Sequence, residues 1–456
     1  MTLGTAPGDA QARPQRVLGL TDAIALIVGL VIGSGIFKAP SLVAANTADT
    51  WMMLGAWVAG GLVSLVGALC YAELATAFPS AGGDYHFLRL AFGARPSFLF
   101  AWARLSVITA GSIALLAFVF GDYLSRLLPL GEHSAAIHAA AIIVLLTLVN
   151  LVGIRSGAAT QRWLTALEVI GVVAVAVAGL VVAPAAAPPD IPPSSAAGAH
   201  ASGTQAFGLA MVFVLLTFGG WNEAAYLSAE LKDVRRNLLR ALAWSMLGIT
   251  VLYLLINLAY LRGLGQSGMA ASDAVAADLM LRAWGATGAA LISAIIAVSA
   301  LTSINATIIV GARSNYALGC DWPAFGWLGR WNATTGVPTR ALLLQAAVAL
   351  GLVAFGATMR KGFETMVDYT APVFWFFFLL VGIALFVLRR RAPEAERPFR
   401  VPLYPVLPLV FCASSAWLLW SSLAYTRLGA LVGVGVLAAG LPLLAFARHD
   451  RQDTSR

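Results

Sequence analysis

Three consecutive small residues interrupt the first long apolar stretch of the chain. Gly33, Ser34 and Gly35 stand near the middle of that stretch. Glycine costs a helix about 1 kcal/mol relative to alanine, so the backbone can leave helical geometry there. Inside a bilayer such a break is tolerated only where it is buried in protein or lines a cavity. Its freed amides can bind an anion such as a carboxylate, and we expect Gly35 to adopt a left-handed or extended conformation that a Cβ would crowd.

A second break occurs in the sixth apolar stretch. There Gly219 and Gly220 lie between the aromatic residues Phe218 and Trp221. Interrupted helices at corresponding positions of two halves of a chain are typical of the binding site of a secondary transporter. The alternative is that these glycines only allow close helix packing.

The composition is that of a polytopic membrane protein. Of 456 residues, 60% are hydrophobic and 11% are charged, against about 25% charged residues in soluble domains. The three cysteines, Cys70, Cys320 and Cys412, have no CxxC spacing and predict neither a disulfide nor a metal site. The sequence contains no HExxH, GxSxG or phosphate-loop motif, so we expect neither an enzyme nor a bound cofactor.

Apolar stretches of about 20 residues can cross a bilayer, and the chain contains twelve of them. The predicted spans are 18–44, 51–77, 96–121, 136–153, 160–183, 206–229, 238–261, 286–318, 339–358, 363–388, 401–424 and 428–447. We therefore predict an N-terminal tail (1–17), a core of ten spans (18–390), a segment holding spans 11 and 12 (391–447) and a C-terminal tail (448–456).

The basic residues orient these spans. With both termini inside, inner segments hold 21 of the 29 Lys and Arg residues and outer segments hold six, while Lys38 and Arg104 lie within spans. Basic residues accumulate on the cytoplasmic side, so we predict a multi-pass protein of the cell membrane with cytoplasmic termini. This distribution explains the net charge of +8 without a nucleic-acid partner.

The position of the two breaks suggests an internal repeat. Spans 1 and 6 are separated by five positions, so spans 1–5 run antiparallel to spans 6–10. Two antiparallel sets of five, each led by a broken helix, predict a 5+5 inverted repeat.

Four segments resemble the amino acid–polyamine–organocation permeases, and among them the L-type amino acid transporter-like members. In chain order they are Gly29–Pro40, Phe218–Leu242, Leu301–Asp321 and Arg397–Pro408. The resemblance implies an all-α fold of the LeuT type. It also implies alternating access, in which spans 1, 2, 6 and 7 rock against the rest.

The resemblance further implies where an amino acid would bind. The amides of Gly33, Ser34 and Gly35 would take its carboxylate. Carbonyl groups at both breaks would take its ammonium group, namely those near Val31, Ile32, Leu216 and Gly219.

Two positions depart from the family pattern. Leu216 stands where many relatives have an aromatic gate, so closure of the site would rely on Phe218 or be looser. Glu168, in the middle of span 5, stands where many relatives have a lysine whose amine takes the place of a sodium ion. A carboxyl reverses the charge available at that point.

Ionisable residues inside a membrane are costly and indicate functional sites. Burial favours the neutral form of a carboxyl, so Glu168 is the first candidate for binding a proton or a sodium ion, with an ion pair to Arg104 as the alternative. Three hydroxyl residues of span 8 could complete this ion site or bond to their own helix backbone: Ser299, Thr302 and Ser303.

Three more charged residues have a gating or a structural interpretation. Glu73, near the inner end of span 2, predicts a gate or a stabilising salt bridge, and Arg104 predicts a structural role. Glu223, three residues after Gly220, could face the inner vestibule or pair with a basic side chain.

The leading hypothesis is a secondary active transporter of amino acids. Val31, Ile32, Leu216 and Phe218 favour a substrate with an apolar or small neutral side chain. The alternatives are an amino acid sensor of the same fold that does not transport, and a transporter of cationic amino acids or polyamines. Uniport, exchange and symport with a proton or sodium all fit the spacing, whereas a channel would need a pore lined by repeated carbonyls or charged rings.

Overall fold

The computed structural model describes residues 19–80, 83–152, 158–186, 203–222, 234–332, 335–359, 361–425 and 428–446. Within these ranges the chain is helical, and its β structure amounts to one isolated bridge between Asn332 and Val337. The prediction of an all-α protein is therefore confirmed. We number the helices after the predicted spans.

In the first half of the chain, each predicted span contains a helix, and the structure adds a short helix between spans 2 and 3. The first span is divided into α1a (Leu20–Val31), a 3-10 helix (Ser34–Phe37) and α1b (Ala39–Ala45). It is followed by α2 (Thr50–Ala77), a short helix (Asp84–Phe92), α3 (Ala94–Ser125), α4 (Ser134–Leu151) and α5 (Ala158–Val177).

The second half has the same correspondence. It contains α6 (Gly203–Thr217), α7 (Val234–Ala270), α8 (Val275–Asp321), α9 (Thr339–Ala357), α10 (Gly362–Arg391), α11 (Val406–Tyr425) and α12 (Leu428–Ala438), with a last short helix at Gly440–Phe446. In the described part of the chain, eight helices (α2 to α4 and α7 to α11) are long and apolar enough to cross a membrane. Shorter apolar helices cover Ala166–Val182, Ala206–Thr217 and Leu428–Leu444.

Helix α8 begins earlier than the sequence predicts. The predicted start at residue 286 directly follows a kink at Trp284 and Gly285, where Gly285 has a φ of 66°. The segment before this kink contains Asp278 and Arg282, so its sequence is less apolar than that of the predicted span. It is nevertheless helical because Leu279 and Met280 are buried in the core.

Buried amide side chains fix α8 to its neighbours. The Asn150 side chain of α4 donates to Asn305 Oδ1 of α8 at 2.7 Å. On the same helix, Asn315 donates to Gln345 Oε1 of α9 at 3.2 Å. Since a buried amide is costly to leave unpaired, these bonds hold α4, α8 and α9 together as one unit.

Candidate functional site

The break in the first span lies at the predicted residues. Gly33 is extended (φ −133°, ψ 179°) and precedes the 3-10 helix that begins at Ser34. The first amides of a helix have no partner within it, so Gly33, Ser34 and Gly35 present theirs at the break. The Ser34 hydroxyl is buried and has no hydrogen-bond partner among the described residues. The break thus presents a buried hydroxyl without a described partner beside the first amides of the 3-10 helix.

The conformation expected of Gly35 is wrong. Gly35 belongs to the 3-10 helix, and its φ is not among the positive values of the chain. A Cβ built there would lie 3.6 Å from the nearest atoms of Thr217, an ordinary contact. The reason is that the residue leaving helical geometry is Gly33, two residues earlier.

The break in the sixth span follows Thr217, the last residue of α6. The Gly219 amide donates to the Leu216 carbonyl at 3.1 Å, closing a turn. Gly220 has a φ of 103°, a left-handed conformation that side chains disfavour. The Leu216 carbonyl, predicted to face an ammonium group, is used within this turn, while the Thr217 carbonyl points toward α7.

A tyrosine of α7 connects the two breaks. The buried Tyr253 hydroxyl lies 3.2 Å from the Val31 carbonyl and 3.3 Å from the Thr217 carbonyl. Gly35 and Thr217 are also adjacent. The structure therefore brings the two predicted breaks to one buried point. The sequence analysis did not predict a role for Tyr253 or Thr217. For Tyr253 the sequence signal is a polar aromatic residue in the middle of an apolar span.

The other predicted binding residues near the two breaks differ in how deeply they are buried. Val31 and Ile32 are buried at the end of α1a, and Leu216 is partly buried. The Phe218 ring packs on Trp57 of α2 and on Tyr253, with centroid distances of 6.2 and 5.0 Å.

Trp221 has a different environment from Phe218. Its ring packs against Tyr71, Phe378 and Phe411, which belong to α2, α10 and α11. We therefore place Trp221 in the packing of the sixth span behind the break.

Glu168 is buried in α5 and contacts α8. The Ser299 hydroxyl donates to Glu168 Oε1 at 2.5 Å. Arg104 begins a π-helical turn in α3, and the described hydrogen bond of the Glu168 carboxyl is to Ser299. Glu168 is also near enough to Tyr253 for an electrostatic interaction.

The remaining predicted ion-site residues do not join Glu168. The Thr302 hydroxyl donates to the carbonyl of Val298 in its own helix, which is the structural alternative for this residue. Ser303 is partly buried, and its carbonyl accepts a bond from Thr307. Among the three predicted hydroxyl residues, Ser299 is therefore the one that contacts the carboxyl. Glu223 lies outside the described residues.

Glu73 forms a buried salt bridge, one of its two predicted roles. Its carboxylate accepts from Arg389 Nε at 2.7 Å and from Arg389 Nη2 at 2.5 Å. Arg397 Nε lies 3.5 Å away, and the Val401 amide donates at 2.7 Å. The carboxylate thus ties α2 to the end of α10 and to the segment before α11.

Neutralising this carboxylate is expected to destabilise the protein. Glu73→Gln leaves Arg389 and Arg397 without a counter-charge, and breaking a buried pair costs about 3–5 kcal/mol. Thermal unfolding in detergent measures the loss. The control is Glu364→Gln, since Glu364 forms an exposed pair with Lys361, and such pairs contribute up to about 1 kcal/mol. Equal unfolding temperatures for the two variants would refute a stabilising role.

Apolar helices long enough to cross a membrane, together with two helix breaks that meet at Tyr253, define a membrane transport protein. The model of the amino acid permease family matches residues 18–432. The chain belongs to this family, whose members are transporters and not enzymes. The resemblance predicted from the four segments is confirmed.

Individual relatives agree with this assignment. The b(0,+)-type amino acid transporter 1 of Mus musculus is 30% identical over 414 residues, covering 89% of this chain and 82% of the relative. The serine/threonine exchanger SteT of Bacillus subtilis (strain 168) is 27% identical, covering 94% and 96%. The large neutral amino acids transporter small subunit 2 of Mus musculus is 28% identical, covering 94% and 80%.

Proposed function

We propose that this protein is a secondary transporter of neutral amino acids that works by alternating access in the cell membrane. The observation that carries the proposal is the meeting of the two breaks at Tyr253, together with the buried Ser34 hydroxyl, which has no partner among the described residues. Relatives named for serine and threonine and for large neutral amino acids support the substrate class.

The substrate carboxylate would bind at the first break. The amides of Gly33, Ser34 and Gly35 begin a helix, and the positive end of a helix favours an anion. A buried hydroxyl without a partner is costly, so the Ser34 side chain is best satisfied by a ligand. A carboxylate accepts several such bonds at once.

The substrate ammonium would bind between the two breaks. A tyrosine hydroxyl carries a single proton, so Tyr253 can serve the Val31 carbonyl or the Thr217 carbonyl but not both together. An ammonium group has three protons and would satisfy the carbonyl that remains. The side chains of Val31, Ile32 and Leu216 at the two breaks are apolar, which favours a neutral substrate side chain.

The topology that we propose has twelve spans, cytoplasmic termini and a 5+5 inverted repeat. The helices α1, α2, α6 and α7 would rock against the remaining helices. The bonds that join α4, α8 and α9 support the view that the remaining helices form a rigid set. The bonds from Tyr253 of α7 to both breaks support the view that α1, α6 and α7 move together.

The direct test is uptake of a panel of labelled amino acids into proteoliposomes. Neutral amino acids should accumulate, or should exchange with an internal pool, and competition should rank them. Binding without uptake or exchange would instead indicate a sensor. Uptake of only lysine, arginine or polyamines would overturn the proposed substrate class.

Removing the Tyr253 hydroxyl is expected to weaken substrate binding. Tyr253→Phe keeps the ring but removes the single proton that these two carbonyls share, and a hydrogen bond contributes about 0.5–1.5 kcal/mol. The KM for uptake should therefore rise up to about tenfold.

A matched control lies on the same helix. The Tyr260 hydroxyl is also buried but has no partner among the described residues, so Tyr260→Phe should leave uptake unchanged. An unaltered KM in Tyr253→Phe would remove this tyrosine from the site.

A further inference from the structure

The geometry points to an ionic gate, formed by Lys38 and Asp122, that closes the path from the end of the protein opposite its termini. This inference rests on the proposed transport function and topology. The Lys38 ammonium lies 2.7 Å from Asp122 Oδ2. Lys38 comes three residues after Gly35, so the pair stands directly beyond the proposed carboxylate site.

The pair is more than a surface contact. The side chains of Lys38 and Asp122 are 8% and 19% exposed. Lys38 also donates to the Asp273 carbonyl in the connection between α7 and α8, at 2.8 Å. A buried ion pair has a substantial desolvation cost, so its presence in an otherwise apolar helix calls for a specific use.

A neighbouring bond reinforces the same junction. The Tyr123 hydroxyl donates to the Phe37 carbonyl at 2.5 Å. Consecutive residues of α3 thus hold consecutive residues of the first span, immediately after the break. Since α1b belongs to the proposed moving set and α3 to the fixed set, transport requires this junction to open.

The Lys38–Asp122 pair also lies at the edge of a cavity, which is the location expected of a gate. A cavity of about 230 Å³ reaches Lys38 and Asp122 and is lined by charged residues that include Glu132, Asp273, Lys361 and Glu364. Lys361 is paired with Glu364 at 2.9 Å. The Lys38–Asp122 pair therefore borders a polar cavity, while Ser34, four residues before Lys38, is fully buried.

Thiol accessibility tests this gate. Ser34→Cys serves as the reporter, in a background where Cys70, Cys320 and Cys412 are replaced by alanine. A membrane-impermeant thiol reagent is added to the outside of proteoliposomes, and the modification rate is measured. The deciding variant is Lys38→Met with Asp122→Asn. It removes both charges together, so neither charge is left buried without a counter-charge.

We expect the double variant to react about tenfold faster, which corresponds to about 1.4 kcal/mol in the closed-to-open equilibrium. The control is Arg126→Gln with Asp278→Asn. This exposed pair, at 3.2 Å, joins α3 to α8 within the fixed set and should leave the rate unchanged. An unchanged rate in the Lys38–Asp122 variant, or an equal rise in the control, overturns the gate.

Uptake in the wild-type protein is measured in parallel. If no amino acid is taken up, the proposed function fails, while the modification rates still report on the gate. If uptake is normal and the double variant reacts no faster than the wild type, the gate alone fails.

Discussion

Replacing Gly35 by valine is expected to abolish amino acid uptake while the protein still reaches the membrane. The methyl group of alanine would fit at this position, since a Cβ lies 3.6 Å from the Cα, Cγ2 and Oγ1 atoms of Thr217. Valine adds two more carbons to that contact. Because interiors are close-packed, they must push the two breaks apart or fill the space in front of the amides.

The size series separates this explanation from a general effect of mutation. Gly35→Ala should retain uptake, and Gly35→Val should reduce it by at least about a hundredfold, equivalent to about 2.7 kcal/mol. Gly55→Val is the matched control, because a Cβ on Gly55 meets no atom within 4 Å. Uptake by Gly35→Val with the wild-type KM would exclude this break as the carboxylate site.

The breaks were predictable from the sequence because their cause is local. Runs of small residues lower helix stability wherever they occur, and Gly33–Gly35 and Gly219–Gly220 interrupt stretches that are mostly apolar. The helices were predictable for the same reason, since apolar length sets a membrane span. Two details differed: Gly33 is extended while Gly35 is helical, and α8 begins before its predicted start.

The partners of buried polar residues were not predictable in this way. Tyr253 acquires its role only when α7 packs across both breaks. Lys38 and Asp122 are 84 positions apart in the sequence and 2.7 Å apart in the fold. One sequence gives the cost of burying each such group but not the tertiary contact that offsets it.

Glu168 was predictable from the sequence in its position but not in its partners. Its position in an apolar span marked it as functional, and the structure adds its partner, Ser299, and its closeness to Tyr253. A change of charge on Glu168 would therefore be felt by the residue that joins the two breaks. This electrostatic interaction offers a physical route from protonation to the binding site, since transport needs a ligand that biases one state over the other.

Glu168→Gln is expected to uncouple transport from the pH gradient. We infer that Glu168 takes up a proton as substrate binds from outside and releases it inside. Glutamine has nearly the same volume, mimics the protonated form and can still accept the bond from Ser299, but it cannot release a proton. A gradient of one pH unit supports about tenfold accumulation for each proton carried, so this accumulation should disappear while exchange of substrate persists.

Two further measurements define what the carboxyl does. Glu168→Ala also removes the acceptor for Ser299 and should transport poorly in every mode. If Glu168 is instead a purely structural charge, both variants should lose folded protein, which thermal unfolding detects. A sodium ion in place of the proton would make accumulation follow a sodium gradient and fail in Glu168→Gln in the same way. Full accumulation driven by the pH gradient in Glu168→Gln would show that the coupling proton is carried elsewhere.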